Sequence, residues 1–571
     1  MQHLPGVTDP LLTLWPARDA DHLLVSGAQM AALEAQLFAS GLPVEALMEK
    51  AALAVSRRLL GETPGTWGGG LWEAGTGEGT GFRSVDPSTG VVVLVGPGHN
   101  GGDGLVVARE LHLAGVPVRL WCPFERRKPL TERHWNHARW LGIPSLDDPP
   151  DPRDPGLWID ALFGNGQSRP PGEAMESLLR SREKGGAGPL VAIDVPTGLC
   201  GDSGRVLGQQ AARAALTLCI GLWKQGLAQD SALRWVGQVE RIDLGFPATL
   251  LEQLPSEQPL GLGGAGGGRL DALRAPRPRL EPAAGKYARG RLLVIAGSAT
   301  YLGAAHLALA GATAAGVGSL RAIVPAPVAD RLWMVLPHVV LETRPFADGA
   351  LERLDAVVVG PGLGPAPLAA HGSNGREPWW DALQAFGGLL VVDAEGLQRI
   401  SPGWLRERGG PTWITPHAGE FARLCPALAE LPPLEAAAEA ARLCRATVLL
   451  KGARSVIAAA DGRRWQLLEA CGQAARAGLG DGLAGYAAGL GARGLAGMGA
   501  GEPAGGAGRG LPSGAPDASL LAVAALDHAQ AGCQAARALG PGGATPLAVA
   551  QWLAQAPLPP GPSPTTVAIA T

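Results

Sequence analysis

A dominant charge, clustered cysteines and long apolar runs are all missing from this sequence. Lys and Arg number 48 against 51 Asp and Glu, a net charge of −3, so no polycationic surface for nucleic acid is implied. Seven cysteines (Cys122, Cys200, Cys219, Cys425, Cys444, Cys471, Cys533) are scattered through 571 residues without a CxxC. An odd, dispersed set excludes a disulfide framework or a zinc site and fits the thiols of a reducing compartment. The longest apolar stretches, such as Ala214–Trp223, stop well short of the roughly 20 residues that cross a bilayer. The opening MQHLPGVTDPLLTLWP has no basic segment leading into an apolar run, so no secretory leader is expected. A soluble, cytoplasmic protein with no nucleic-acid or membrane partner is the expectation.

What is abundant is glycine and proline, 84 and 49, together 133 of 571 residues. With 46% hydrophobic and 17% charged residues a sizeable core is available, so wholesale disorder is excluded and the position of the glycines matters. Three patches lack periodicity. Residues 61–90 read as a flexible excursion, Gly261–Gly268 with the Pro- and Arg-rich stretch to Gly285 as a linker, and Gly497–Ala515 as a surface insertion. The expected division is a domain over 22–250, a linker over 251–285 and a second domain over 286–560.

Both halves alternate short β-branched runs with small-residue or amphipathic segments. The runs are Val91–Val95, Val116–Trp121, Leu157–Asp160, Leu190–Asp194 and Leu216–Ile220, then Leu292–Ile295, Ala356–Val359, Leu389–Val392, Trp413–Thr415 and Thr447–Leu450. Continuous rather than alternating apolar runs indicate strands buried on both faces, as in parallel sheets covered by helices. Two α/β domains follow. Ligands in such sheets lie at the strands' carboxyl ends, where this chain places Gly, Asp, Pro and His.

In the first half, VVVLV runs into Gly96-Pro-Gly-His-Asn-Gly-Gly-Asp-Gly104 and then a helical stretch. Strand, glycine loop and helix let backbone N–H groups approach a phosphate. The bland alternatives are a tight turn and an Asp103 N-cap. Asp160 and Asp194 end two further strands, each before another glycine-containing loop, and Thr197 follows Asp194 by three residues. Three polar strand ends in one domain point to convergence on a ligand.

The segments GPGHNGGDG, DALFGNG and DVPTGLCGDSG, preceded by LPVEALMEKAALAV, resemble the N-terminal YjeF domain, the NAD(P)HX epimerase, over about residues 22–247. The resemblance implies a Rossmann-like three-layer domain that interconverts the R and S epimers of hydrated NADH and NADPH around a bound potassium ion. By position, Asn100, Asp160 and Thr197 are the implied potassium ligands, all offering hard oxygen atoms. His99, Asn100, Gly101, Gly102 and Asp103, the loop Gly164, Asn165, Gly166, Gln167, Ser168, Arg169 and Pro170, and Asp194 are implied to hold substrate. Asp194 is the candidate proton-transfer group. His99 stands where the family usually has Asn, and Thr197 where Ser is common. Lys224 falls in a family-like segment and receives no role.

The second half carries Gly297-Ser298 and Gly303-Ala304, Gly360-Pro-Gly-Leu-Gly364, Asp393, Thr415-Pro-His417-Ala-Gly-Glu420, Leu449-Leu-Lys451-Gly452-Ala-Arg-Ser455 and Gly478-Leu-Gly-Asp481-Gly-Leu-Ala-Gly485. Small residues after Gly303 permit close helix packing, and they also let a flat ligand approach the backbone. Lys451 to Ser455 is a basic turn suited to an anion. Asp481 at a helix mouth combines a carboxylate with free N–H groups, which phosphoryl transfer can use for proton acceptance and charge stabilisation. A plain N-cap is the alternative.

Together these motifs resemble the C-terminal YjeF domain, the ribokinase-like α/β/α NAD(P)HX dehydratase, over about 286–557. The resemblance implies phosphorylation of the S epimer's hydroxyl by ADP with magnesium, then loss of phosphate to restore NAD(P)H. Ala304, Gly364, His417 and Asp481 are implied to contact the hydrated nucleotide. Lys451, Gly452, Ala453, Arg454, Ser455 and Gly480 are implied to hold ADP or its AMP product. The approach Gly472–Asp481 is about two residues shorter than the family's, and Glu395 replaces a common Asp. The leading expectation is a bifunctional cofactor-repair enzyme, isomerase and lyase, acting on NADHX and NADPHX as a homo-oligomer. The alternative is a ribokinase-like small-molecule kinase fused to a non-catalytic nucleotide-binding domain.

Overall fold

The computed structural model describes residues 15–61, 89–263, 268–278, 284–343, 351–364, 379–498 and 516–556. Most of the expected excursion at 61–90 and the insertion at 497–515 lie outside these. The chain divides into two compact units, Arg18–Gly261, and Leu262 onward together with the first seventeen residues. Both are α/β, as expected.

In the Arg18–Gly261 unit the strands of the main sheet are β1 (Val91–Val95), β2 (Val118–Trp121), β3 (Ser145–Leu146), β4 (Leu157–Ala161), β5 (Leu190–Ile193), β6 (Leu216–Ile220) and β7 (Gln238–Ile242). They form one parallel sheet in the order β3-β2-β1-β4-β5-β6-β7. The apolar strands are buried along their whole length because both faces are covered. On one face, Val92, Leu94 and Trp158 pack against Met175, Leu178 and Leu179 of α5 (Glu173–Lys184). Full burial of each such side chain stabilises by roughly 1.5–3 kcal/mol. On the other lies α3 (His99–Leu113), whose Gly104 sits so close that a Cβ there would lie 2.4 Å from Ala161 Cβ.

Two earlier helices and one later one accompany α3: α1 (Gly27–Ala39), α2 (Val44–Leu60) and α4 (Pro129–Trp140). Helix α2 buries Leu47, Met48, Ala51, Ala52, Val55 and Leu59, a stripe of helical period, and ends on Gly61 in the left-handed conformation. A capping box between Ser26 and Gln29 starts α1. Leu24–Val25 pairs with Trp223–Lys224, which brings the start of α1 to the carboxyl end of β6. The strand order reverses between β1 and β4, the position at which such sheets open a crevice.

In the other unit the strands are β8 (Arg291–Ile295), β9 (Ser319–Ile323), β10 (Val340–Glu342), β11 (Ala356–Val359), β12 (Leu389–Val392), β13 (Thr412–Ile414), β14 (Thr447–Leu450), β15 (Val456–Ala458) and β16 (Arg464–Leu467). They run in the order β16-β15-β14-β13-β12-β11-β8-β9-β10, parallel except for the antiparallel β14-β15-β16 meander. The helices that matter below are α6 (Gly268–Arg274), α7 (Leu302–Ala314), α8 (Ala418–Leu424), α9 (Pro433–Cys444), α10 (Leu479–Met498) and α11 (Ser519–Gly543). Leu293, Val357, Val359, Leu390, Val392 and Ile414 share a core with Phe421, Leu434 and Ala437.

The small residues of α7 and α10 serve packing. A Cβ at Gly311 would lie 2.0 Å from Gly482 O, and one at Gly485 1.9 Å from Ala308 O, so the two backbones nearly touch. The stretch expected as linker, 251–285, is in part folded structure. It holds α6, and Arg277 makes two hydrogen bonds, 2.6 and 2.5 Å, to the buried Asp527, which also accepts from Tyr486 Oη at 2.8 Å. Trp15 belongs to this unit as well, its ring N–H donating to Asp271 O and its carbonyl accepting from Trp465.

Candidate active sites

The loops that follow β1, β4 and β5 line a cleft of about 1280 Å³ in the Arg18–Gly261 unit. His99, Asn100, Asp103, Gly164, Asn165, Gly166, Gln167, Ser168, Arg169, Pro170 and Asp194 all border it, so most of the residues chosen from sequence converge. Gly101 and Gly102 are not on its wall. They are buried, and a Cβ at Gly101 would lie 2.0 Å from Gly96 O, so their smallness serves the seating of α3.

Asp194 is the most constrained residue of the cleft. Its φ of 70° is rare for a residue with a side chain, a cost that persists only where surrounding structure enforces it. Its N–H donates to Leu218 O at 2.8 Å, and its Oδ2 accepts the Asn165 N–H at 2.7 Å. Its Oδ1 stands 2.5 Å from Lys224 Nζ. Lys224 is 1% exposed and also donates to Ile220 O. Burial pulls its pKa down, but Asp194, with Cys219 and Glu34 behind it, more than reverses that and leaves it raised.

Two further carboxyls face the same cleft. Burial, then the charges of Asp194 and Glu34, push Asp103 well above its ordinary pKa. Burial and Asp194 raise Glu34, partly offset by Lys224. Burial and Lys128 lower His99, which favours a neutral ring. The sequence reading missed Glu34, and it gave Lys224 no role. A lysine inside the apolar run LCIGLWKQGLA was a usable signal, because a buried lysine demands a partner.

Asp160 is fully buried beside these loops. Its oxygens accept from Thr197 N–H at 2.8 Å, Thr197 Oγ1 at 2.7 Å and Leu162 N–H at 3.3 Å. Burial nevertheless pushes its pKa up to about 6, and the groups that counter it are neutral donors. Asn100 donates to Ile193 O at 3.3 Å, and a Cβ on Gly164 would fall 2.8 Å from Asp194 Oδ2 and 3.3 Å from Asn100 Cγ. Gln167 bridges its loop to the Thr197 loop through Pro196 O and Gly198 N.

The second unit gathers its polar strand ends around Lys451. Lys451 Nζ lies 2.6 Å from Asp393 Oδ1 and 3.9 Å from Glu420 Oε2. Asp393 is 1% exposed and also accepts from Thr415 Oγ1 at 2.8 Å. A Cβ at Gly480 would be 3.2 Å from the lysine nitrogen, so the first turn of α10 rests on this ammonium. Asp481, in the same turn, has its pKa pushed up to about 7 by burial and then by Asp393, partly countered by Lys451.

His417 caps α8. Its Nδ1 accepts from Gly419 N at 3.0 Å, while Glu420 Oε2 accepts the His417 N–H at 2.9 Å. Its outer nitrogen lies 3.3 Å from Glu420 Oε1, and the side chain is 56% exposed. Ala304 lies against the glycine loop after β11, where a Cβ on Gly362 would be 2.5 Å away, and Gly364 stands beside Ser298. Gly360 abuts Asp393 O, which links that loop to the lysine cluster. Gly452 to Ser455 form a turn closed by the Ser455 hydroxyl, with Gly452 and Ala453 exposed.

A family model described as NAD(P)H-hydrate dehydratase matches residues 292–550, and one described as YjeF-related protein N-terminus matches 44–226. The chain is 41% identical over 479 residues to the bifunctional NAD(P)H-hydrate repair enzyme of Gloeobacter violaceus, covering 81% of this chain and 87% of that one. It is 39% identical to the enzyme of the same name from Synechocystis, covering 82% and 85%. A solved ADP/ATP-dependent NAD(P)H-hydrate dehydratase from Bacillus subtilis, co-crystallised with ATP and magnesium, is 23% identical. It covers 50% of this chain and 95% of its own, with a TM-score of 0.41.

Proposed function

This chain belongs to the family of bifunctional NAD(P)H-hydrate repair enzymes, and we propose that its two units perform successive halves of one repair. The Arg18–Gly261 unit equilibrates the R and S epimers of hydrated NADH and NADPH. The other unit consumes the S epimer, phosphorylating its hydroxyl with ADP and expelling phosphate to give NAD(P)H and AMP. The observation that carries this reading is that each unit sets a lysine on a buried or half-buried aspartate at its strand ends, Lys224 on Asp194 and Lys451 on Asp393.

In the first site Asp194 is the proton-transfer group, with His99 to Asp103 and Gly164 to Pro170 holding substrate. The donor set of Asn100, Asp160 and Thr197 fits potassium. Its oxygens are hard, and Asp160 is a wholly buried carboxyl on which only neutral donors act. The ion would neutralise Asp160 there.

In the second site Asp481 accepts the proton of the attacking hydroxyl, a task suited to a carboxylate poised near neutrality. The N–H groups opening α10 and the Lys451 ammonium stabilise the transferring phosphoryl group. Lys451 to Ser455 and Gly480 hold the nucleotide, and Ala304, Gly364 and His417 hold the hydrated cofactor. Glu395, whose buried Oε2 has no hydrogen-bond partner among the described residues, would offer an oxygen to magnesium carried in with ADP. The same reading makes the protein a cytoplasmic assembly of identical subunits.

The test is recovery of 340 nm absorbance from an R/S mixture of hydrated NADH with ADP, magnesium and potassium. Full recovery is expected of the wild type. Asp481→Ala should abolish it, and Asp194→Ala should leave only the S fraction promptly recoverable. No recovery by the wild type with either ADP or ATP would refute the dehydratase reading.

A further inference from the structure

Three carboxyls, those of Glu34, Asp103 and Asp194, and the ammonium of Lys224 border the same cleft. Burial, and after it the charge of Asp194, raises the pKa of both Glu34 and Asp103. Lys224 is placed against only one of the three, Asp194. Its nitrogen is 2.5 Å from Asp194 Oδ1, its own position is fixed by the Ile220 carbonyl, and its chain is anchored by strand pairing of Trp223–Lys224 with Leu24–Val25.

Resting on the epimerase reading above, we propose that Lys224 is a positioning residue of that site: it holds the Asp194 carboxylate by one oxygen and sets its direction in the cleft. The remaining contacts of Asp194 fit this assignment. Oδ2 is held by the Asn165 N–H at 2.7 Å, and the backbone is locked at φ 70° by the bond from Asp194 N to Leu218 O. One oxygen is thus set by the lysine and the other by a loop amide, so loss of the ammonium removes both a charge and a direction. Glu34 from α1 and Asp103 from α3, neighboured by His99 on α3 and Cys219 on β6, have no such ammonium against them among the described residues, and burial followed by the charge of Asp194 raises the pKa of both. A buried lysine with a purely structural task would need the carboxylate only as a partner, and would leave the site's pH response unchanged.

The experiment measures epimerisation of the R hydrate, coupled to excess independent dehydratase, for wild type, Lys224→Met, Lys224→Arg, Asp194→Asn and the Asp194→Asn/Lys224→Met double variant. In Lys224→Met, kcat should fall about 100-fold with KM within about threefold, and the acidic limb of the kcat profile should move upward by at least one pH unit. Lys224→Arg should restore most of the rate, and the double variant should be no slower than Asp194→Asn alone. An unmoved pH limb, or effects that multiply in the double variant, would overturn the proposal. Should Lys224→Met fail to fold, the soluble Lys224→Arg variant decides: an arginine that neither keeps the rate nor holds the limb within half a unit of wild type counts against the proposal. A wild type without epimerase activity would instead sink the reading beneath it.

Discussion

Lys451 Nζ and Asp393 Oδ1 stand 2.6 Å apart although 58 residues separate them in sequence. The pair exists because β12 and β14 end at the same edge of the sheet with β13 between them. Their charges bracket Asp481, the aspartate raising its pKa and the lysine lowering it, while burial outweighs either. That balance makes the dehydratase pH-sensitive in a defined direction. If Asp481 works as a base, its ionised form is the active one, so kcat should rise with pH along an acidic limb near 7. Lys451→Met removes the lowering charge and should shift that limb upward while slowing the reaction. The kcat profile measured between pH 5.5 and 9 decides this, and a flat wild-type profile across 6–8 would contradict it.

The same shift has a cost in stability. Asp481 has a folded pKa near 7, above the ordinary 3.8 expected when unfolded, so the native state holds its proton more tightly. The resulting stabilisation is complete below about pH 4 and is lost as pH rises through about 7. Asp481→Asn cannot ionise. It should therefore be more stable than wild type at pH 8 by about 2 kcal/mol, after discounting for partial exposure, and nearly equal at pH 4. Urea denaturation at the two pH values gives the comparison, and equal stability at both would show that Asp481 is solvated like a surface acid.

Gly101 and Gly102, adjacent in the first turn of α3, should respond differently to alanine. The added methyl at Gly101 meets the Gly96 carbonyl at 2.0 Å, which is backbone and cannot yield without moving β1's loop. At Gly102 it meets the end of Met48 at 2.7 Å, a flexible side chain that can turn away. Overpacking against backbone belongs at or above the upper end of the usual 1–3 kcal/mol, and the Met48 clash near its lower end. Thermal unfolding should show Gly101→Ala well below Gly102→Ala. The reverse order would return these glycines to the list of substrate contacts.

The parts of this molecule that were legible from sequence are those whose physics is local. Val91–Val95, Leu216–Ile220, Ala356–Val359, Leu389–Val392 and Thr447–Leu450 were readable to the residue, since a strand buried on both faces is a continuous apolar run. Ser319–Ile323 alternates in burial, and Gln238–Ile242 is a mostly half-buried edge strand, so neither produces such a run and neither was expected. Asp160, Asp194, Asp393 and Lys451 were legible as polar residues at strand ends, the ligand side of an open sheet. Glu34 gave no signal of this kind. It reaches the cleft from α1, which the pairing of Leu24–Val25 with Trp223–Lys224 folds back onto the sheet, a long-range event that no local pattern encodes. The α6 segment was taken for linker because glycine and proline surround it, while its attachment through Arg277 and Asp527 depends on a partner 250 residues away.

The Asp160 site makes a prediction about ions that does not need turnover. Its carboxyl is fully buried, and burial pushes its pKa up to about 6 in spite of the donors on Thr197 and Leu162. A carboxylate with so little surrounding charge is destabilising once ionised, so without a cation the fold loses stability as pH climbs from about 4 through about 6. Potassium bound at Asn100, Asp160 and Thr197 would interact with the ionised form only. Adding potassium should therefore raise the melting temperature of the Arg18–Gly261 unit at pH 8, by an amount equivalent to about 2.7 kcal/mol at a hundred times its Kd, and have little effect at pH 5. Asp160→Asn should remove the response at both pH values, and Thr197→Ser, which keeps the hydroxyl that donates at 2.7 Å, should retain it. Scanning calorimetry of the full chain in potassium against choline chloride at equal ionic strength separates ion binding from screening. A shift that survives Asp160→Asn, or that is as large at pH 5 as at pH 8, would place the cation elsewhere.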